Sequence, residues 1–214
     1  MKTILHYGLV LLIVSGLAAA GLAFINGLTR TNIERSQKQQ FISGQKLAFP
    51  SADSFSDELT FEVSGKKYVY FEVYDSSKNI IGYELRYVVH GYQSDIDVLT
   101  GIDTNYTVVA IKILSQAETP GLGAEVETIQ SDETLWSTIG HLFDKKKAAK
   151  VKRIPAFQAQ FQNKKLADLN CVKIENPRKI SAIAGATITS DAVTKAVRVP
   201  IEAFMKYRGV ENND

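Results

Sequence analysis

The sequence predicts an α+β fold: one N-terminal transmembrane helix, followed by a single domain with a mostly antiparallel sheet flanked by helices. Three observations predict it. The run LHYGLVLLIVSGLAAAGLAFINGL, Leu5 to Leu28, carries no formal charge, His6 being counted neutral, and exceeds the roughly 20 apolar residues that cross a bilayer. From Glu58 onward the apolar period is two, as in half-buried strands. Between Ser190 and Arg208 it is helical, with Ala192, Val193, Ala196, Val197, Ile201, Phe204 and Met205 on one face.

The N-terminal run has a rival reading. Lys2, an apolar stretch and Ala18-Ala19-Ala20 also describe a cleavable signal peptide. Apolar character continues past the alanines through Phe24, Ile25 and Leu28, which favours an anchor over residues 1–30. No cysteine sits near the alanines, so a lipoprotein is excluded. Residues 31–50 are polar with sparse apolar positions and read as a juxtamembrane helix or linker, closing before Pro50. Lys2 on one side against Arg30, Arg35 and Lys38 on the other would by itself put the following domain in the cytoplasm.

Residues 51–214 form the domain. ELTFEVS, Gly65 and KKYVYFEVY read as a hairpin. DSSKN is a turn, and IIGYELRYVVH is a third strand. Asp95–Ile102 and Thr107–Ser115 are two more. Tyr68, Tyr70 and Tyr74 share one parity and one face, where they serve packing. Ser131 to Phe143 reads as a short helix with Ser131 as cap and Trp136 in its apolar stripe. DKKKAAKVKR, 144–153, reads as a solvated basic surface, with a docking patch for an acidic partner or lipid headgroups as the alternative. In the last helix, Pro200 is expected to kink or split the run and Gly209 to end it.

Composition removes several classes. The net charge is +2, which offers no field for nucleic acid. One cysteine, Cys171, allows no internal disulfide and no thiolate metal cluster, and reads as a buried apolar side chain. His6, His90 and His141 are scattered, with no HExxH spacing. No Walker loop or GxGxxG is present. Neither a metal site nor a catalytic constellation is expected.

Two segments carry the remaining signal. In LSQAETPGLGAEV, Leu114 to Val126, Pro120-Gly121 predicts a type II turn with glycine at positive φ. Gly123 is a second place where backbone can approach a ligand. Glu118 and Thr119 precede the turn, and Leu122 rides exposed on it. In SAIAGATITSDAVTKAV, Ser181 to Val197, Gly185 and Ala186 strip bulk from the backbone just before Thr187. Thr189, Ser190 or Asp191 can cap the following helix. Its free N–H groups and its dipole suit a phosphate beside the Thr187 oxygen. Taken separately, the first segment is an ordinary strand-exit loop and the second a set of capping hydroxyls.

Taken together, ETPGLG, then GATITS, behind one N-terminal span, resemble the membrane-anchored FMN-binding subunits of two related respiratory pumps. These are the G-type subunit of the Rnf-type ion-translocating ferredoxin:NAD oxidoreductase and the C-type subunit of the sodium-pumping NADH:quinone reductase. The modest length is closer to the first. The likeness includes GYQSDIDVLTGID, Gly91 to Asp103.

The resemblance implies that residues 51–214 are an FMN-binding domain and that Thr187 carries FMN through its phosphoryl group. It implies that Glu118, Thr119 and Leu122 line the flavin, with Gly185 and Ala186 shaping the attachment loop and Lys173 of CVKIEN lying near the ring. It further implies a flavin transferase that uses FAD and Mg²⁺ during maturation, other membrane subunits as partners, and a soluble domain on the extracytoplasmic side of the cell membrane. The family motif usually begins with Asp and has Ser or Thr before Gly-Ala-Thr; here those positions are Ser181 and Ala184. The competing reading is a membrane-tethered binding or assembly module without covalent flavin.

Overall fold

A computed structural model describes residues 2–128, 154–174 and 176–210. The helix expected over Ser131–Phe143 and the basic run at 144–153 lie outside the described residues. The chain divides into two compact units, residues 1–42 and residues 43–214.

Helix α1 spans Lys2–Ala48. In its first part an 18-residue window reaches a mean hydropathy of 2.5 with none of it buried. Ile4, Leu5, Leu11, Leu12, Leu17 and Leu22 are all exposed. That is a helix long and apolar enough to cross a membrane.

The second unit is built on strands β1 (Ser54–Phe55), β2 (Leu59–Val63), β3 (Lys66–Tyr74), β4 (Ile80–His90), β5 (Asp95–Asp103) and β6 (Val108–Ser115). They form one antiparallel sheet in the order β1-β3-β4-β5-β6, with β2 also pairing β3. Ser64 and Gly65 both have positive φ, at 53° and 75°, which closes the β2–β3 hairpin with the two-residue turn that strand twist favours. After β6 come a 3-10 turn (Gly123–Glu127), a short helix α2 (Ala156–Ala159), another 3-10 turn (Leu166–Asp168), and a parallel pair, β7 (Cys171–Val172) and β8 (Ile180–Ser181). Helix α3 spans Thr187–Tyr207.

Helix α3 covers one face of the sheet. Val193, Ala196, Val197, Ile201 and Phe204 are fully buried with Leu85, Val98, Ile102 and Ile113. Phe204 sits at the hub of an aromatic cluster, 4.9 Å from Tyr83, 5.1 Å from Tyr70 and 5.4 Å from Phe61, ring centroid to centroid. Such contacts add to the area each ring buries. The helix does not split at Pro200. Tertiary packing on both sides of Pro200 outweighs the one backbone bond the imide lacks. Gly209, at φ 70°, ends it: the Val210 N–H donates to the Met205 carbonyl at 3.0 Å and the Gly209 N–H to Lys206 at 3.2 Å, a Schellman closure.

The opposite face is covered by the end of α1 and by Phe49, packed with Val73 and Ala110. Two glycines make this seat possible. A Cβ at Gly82 would stand 2.5 Å from the Phe49 ring, and one at Gly101 would stand 2.5 Å from the Ala48 Cβ.

Candidate functional site

The two glycine motifs meet. The Leu122 N–H donates to the Thr119 carbonyl at 3.2 Å, closing the turn through Pro120 and Gly121, whose φ is 75°. The Ala186 N–H donates to the Ile183 carbonyl at 3.0 Å, closing a second turn through Ala184 and Gly185, whose φ is 77°. Both have the positive φ at the third position that a type II turn requires. They abut: a Cβ on Gly185 would stand 3.0 Å from Leu122 Cδ2.

Between them lies a cleft of about 380 Å³ lined by Tyr92, Glu118, Thr119, Leu122, Gly123 and residues 185–189. Six of the seven residues picked from the sequence therefore share one cavity: Glu118, Thr119, Leu122, Gly185, Ala186 and Thr187. The seventh, Lys173, does not line it. It lines a different cleft with Gln160, Lys164, Asn176, Lys179 and Ser181.

Thr187 is the first residue of α3 and is half-buried. The residue before it, Ala186, makes no side-chain cap. This corrects the expectation that Thr189, Ser190 or Asp191 caps the helix. The helix starts earlier, and the two hydroxyls, of Thr189 and Ser190, are committed elsewhere. Ser190 Oγ donates to the Ala186 carbonyl at 2.9 Å and accepts the Ile183 N–H at 3.0 Å. Thr189 Oγ1 donates to Glu118 Oε2 at 2.7 Å. Among the described residues, no side chain accepts from the N–H groups of the first turn, and the helix dipole adds partial positive charge there.

Glu118 is the organiser that its sequence position did not reveal. It is 5% exposed, and its carboxylate accepts from five donors. The Gln93 and Ser94 N–H groups reach Oε1 at 2.9 Å each, the Tyr92 N–H reaches Oε2 at 3.3 Å, and the Ser94 and Thr189 hydroxyls complete the set. Burial pushes its pKa up, but the Thr189 hydroxyl and the three N–H groups outweigh burial and hold it down, at about 2. The group is a carboxylate at neutral pH. Thr119 extends the same network, its hydroxyl donating to Gln93 Oε1 at 2.9 Å.

Gly123 has a different reason from the one its sequence suggested. A Cβ there would stand 2.7 Å from Glu118 Oε2 and 2.8 Å from Thr189 Oγ1. The missing side chain makes room for this hydrogen bond. Gly91 does the same on the other side, where a Cβ would stand 2.6 Å from Glu118 Oε1. Around the mouth, Tyr92, Leu122 and Ile188 are exposed apolar groups.

Ser181 lies on β8, where its N–H donates to Gln160 Oε1 at 2.8 Å and its carbonyl accepts Gln160 Nε2 at 3.3 Å. Ala184 is exposed. Neither residue lines the cleft that holds Thr187. Cys171 is half-buried rather than buried; burial still pushes its thiol pKa up.

The cleft fits a flavin mononucleotide by the chemistry of its walls. It offers uncapped helix N–H groups for phosphate, a hydroxyl beside them, apolar side chains at the mouth, and a volume in the range of cofactor sites. A family model described as FMN-binding domain matches residues 91–202. The G-type subunit of the Na⁺-translocating ferredoxin:NAD⁺ oxidoreductase complex of Acetobacterium woodii is 27% identical over 214 residues, 95% of this chain and 92% of that one. The G-type subunit of the ion-translocating oxidoreductase complex of Methanosarcina acetivorans is 29% identical over 203 residues, 93% of each. Among solved structures, the C-type subunit of the Na⁺-translocating NADH-quinone reductase from Parabacteroides distasonis matches with a TM-score of 0.54 at 15% identity. That match covers 84% of this chain and 97% of that one.

Proposed function

The chain belongs to the family of FMN-binding domains, and on that premise we propose that it is a flavoprotein subunit of a membrane-bound, ion-translocating oxidoreductase complex, carrying electrons through FMN joined to Thr187. The observation that carries the attachment is the position of Thr187. It opens an uncapped helix on the wall of a cleft, beside the Gly185 turn. The reading as part of such a complex is supported by likeness to the G-type subunits over most of the chain.

Bound FMN supplies the redox chemistry through its isoalloxazine ring. The chain supplies placement. The Thr187 oxygen forms the ester bond, and the first-turn N–H groups of α3 favour the phosphoryl oxygens. Leu122, Tyr92 and Ile188 give an apolar surface at the mouth of the site. Glu118 acts by position: it ties the 92–94 backbone to Thr189 and so fixes where α3 begins. Lys173 lines a different cleft and would stabilise negative charge on the cofactor only if the bound ring extends to it.

Attachment draws on FAD. A flavin transferase with Mg²⁺ would join the FMN phosphoryl group of FAD to the Thr187 oxygen, with loss of the hydroxyl proton and AMP as the leaving group. The apolar part of α1 anchors the chain in the bilayer beside the other membrane subunits. The domain lies on the extracytoplasmic side, where no free FMN pool would replace a cofactor that dissociates.

The test is flavin fluorescence on a denaturing gel. The wild-type band fluoresces and the Thr187→Val band does not. Fluorescence in both bands places the bond elsewhere. A yellow native protein whose denatured band is dark makes the binding noncovalent, and a colourless preparation favours a tethered module without flavin.

A further inference from the structure

On the sheet face opposite the cleft, one carboxyl group is sealed in. Glu84 on β4 is 0% exposed. It pairs across the sheet with Phe71 on β3 and Gly101 on β5. It shares its face with Gly82, and that face lies under the end of α1: Phe49 packs on Gly82, and Ala48 on Gly101. Among the described residues, neither Glu84 oxygen has a hydrogen-bond partner. The Gln45 amide favours the charged form but makes no bond of good geometry with it.

The charged groups of this face do not rescue Glu84. Arg86, two residues along β4, is committed to Asp97, with Nη2 donating to Oδ2 at 2.6 Å and Nε to both oxygens at 3.1 Å. Glu58 acts on Arg86 as well. Lys112 on β6 lays its Cβ and Cγ against Gly44 of α1. Lys46 on α1 and Lys67 on β3 are both exposed. None of them bonds to a Glu84 oxygen.

We propose that Glu84 is a proton-operated latch for the last turn of α1: its neutral form lets Gly44–Phe49 close on the sheet, and its charged form releases them. An unpaired buried carboxylate carries a large desolvation cost. The cover is fitted too closely to Gly82 and Gly101 for solvent to enter without displacing it. The charge is relieved by lifting the cover.

The sign follows from the raised acidity constant. Burial pushes Glu84 from 4.5 up to about 7, against the opposing influence of Gln45. A folded value above the free value means that the neutral form stabilises the closed seat. The seat is firmest below about 4.5, weakens as pH rises toward about 7, and stays weak above that. The closing equilibrium changes by a factor approaching tenfold per pH unit within that window.

The experiment is hydrogen exchange of the full-length chain in detergent micelles, from about pH 5 to 8, a range that brackets the folded value, corrected for intrinsic rates. The Phe49 amide, which donates to the Gln45 carbonyl at 3.0 Å, is the reporter. Its protection falls across this window in the wild type and is flat in Glu84→Gln. A flat wild-type profile, or the same slope in Glu84→Gln, overturns the latch. Should the variant fail to fold, carbon-13 titration of the wild-type Glu84 carboxyl decides alone: a midpoint near 7 upholds the proposal and one near 4.5 ends it.

Discussion

Thr189 Oγ1 donates a hydrogen bond to Glu118 Oε2 at 2.7 Å, across 71 positions of chain. This one bond ties the loop after β6 to the first turn of α3. Two glycines, Gly91 and Gly123, leave room for the carboxylate that receives it. The placement of Thr187, two residues from Thr189, depends on that junction.

Glu118→Gln keeps the size of the side chain and removes its charge. An amide nitrogen then faces N–H and hydroxyl donors in a buried place. The expected loss is about 2–3 kcal/mol, the scale for hydrogen bonds to a charged group. Urea unfolding of the purified full-length chain reads it. Flavin content falls with it, since the start of α3 is no longer fixed.

The same carboxylate predicts an acid limit. Its folded pKa of about 2 lies below the ordinary value of 4.5. The stability it contributes is therefore complete above about 4.5 and is lost as pH falls from there toward 2. The full difference corresponds to about 3 kcal/mol at most. Stability curves of wild type and Glu118→Gln should converge between pH 4.5 and 2 and run parallel above it.

Gly185→Ala puts a methyl group at φ 77° and 3.0 Å from Leu122 Cδ2. The backbone cost is about 1 kcal/mol, and Leu122 must move. The expected result is a lower melting temperature and less retained flavin. Gly65→Ala is the control: φ is 75°, but nothing stands within 4 Å, so melting temperature falls while flavin content does not.

Much of this was legible before the structure. The alternation in KKYVYFEVY and IIGYELRYVVH places β3 and β4 at the bounds the structure gives. Pro120-Gly121 and Gly185 mark turns because only glycine adopts their φ readily. The start of α3 was not legible. Thr189 and Ser190 look like caps, yet both bond to other groups, and an alanine precedes the helix. The five donors around Glu118 were hidden for another reason. All come from residues 24 or more positions away, and local pattern carries no trace of them. The burial of Glu84 was hidden as well. In an alternating strand a glutamate reads as solvent-facing, but the end of α1 covers that face.

The most direct measurement is the intact mass of the denatured full-length chain from cells that attach flavin. The account predicts a wild-type mass above the sequence mass by one FMN less a water, and a Thr187→Val mass that matches its sequence. A denatured wild-type chain at its bare sequence mass, or a Thr187→Val chain that still carries the added mass, would contradict it.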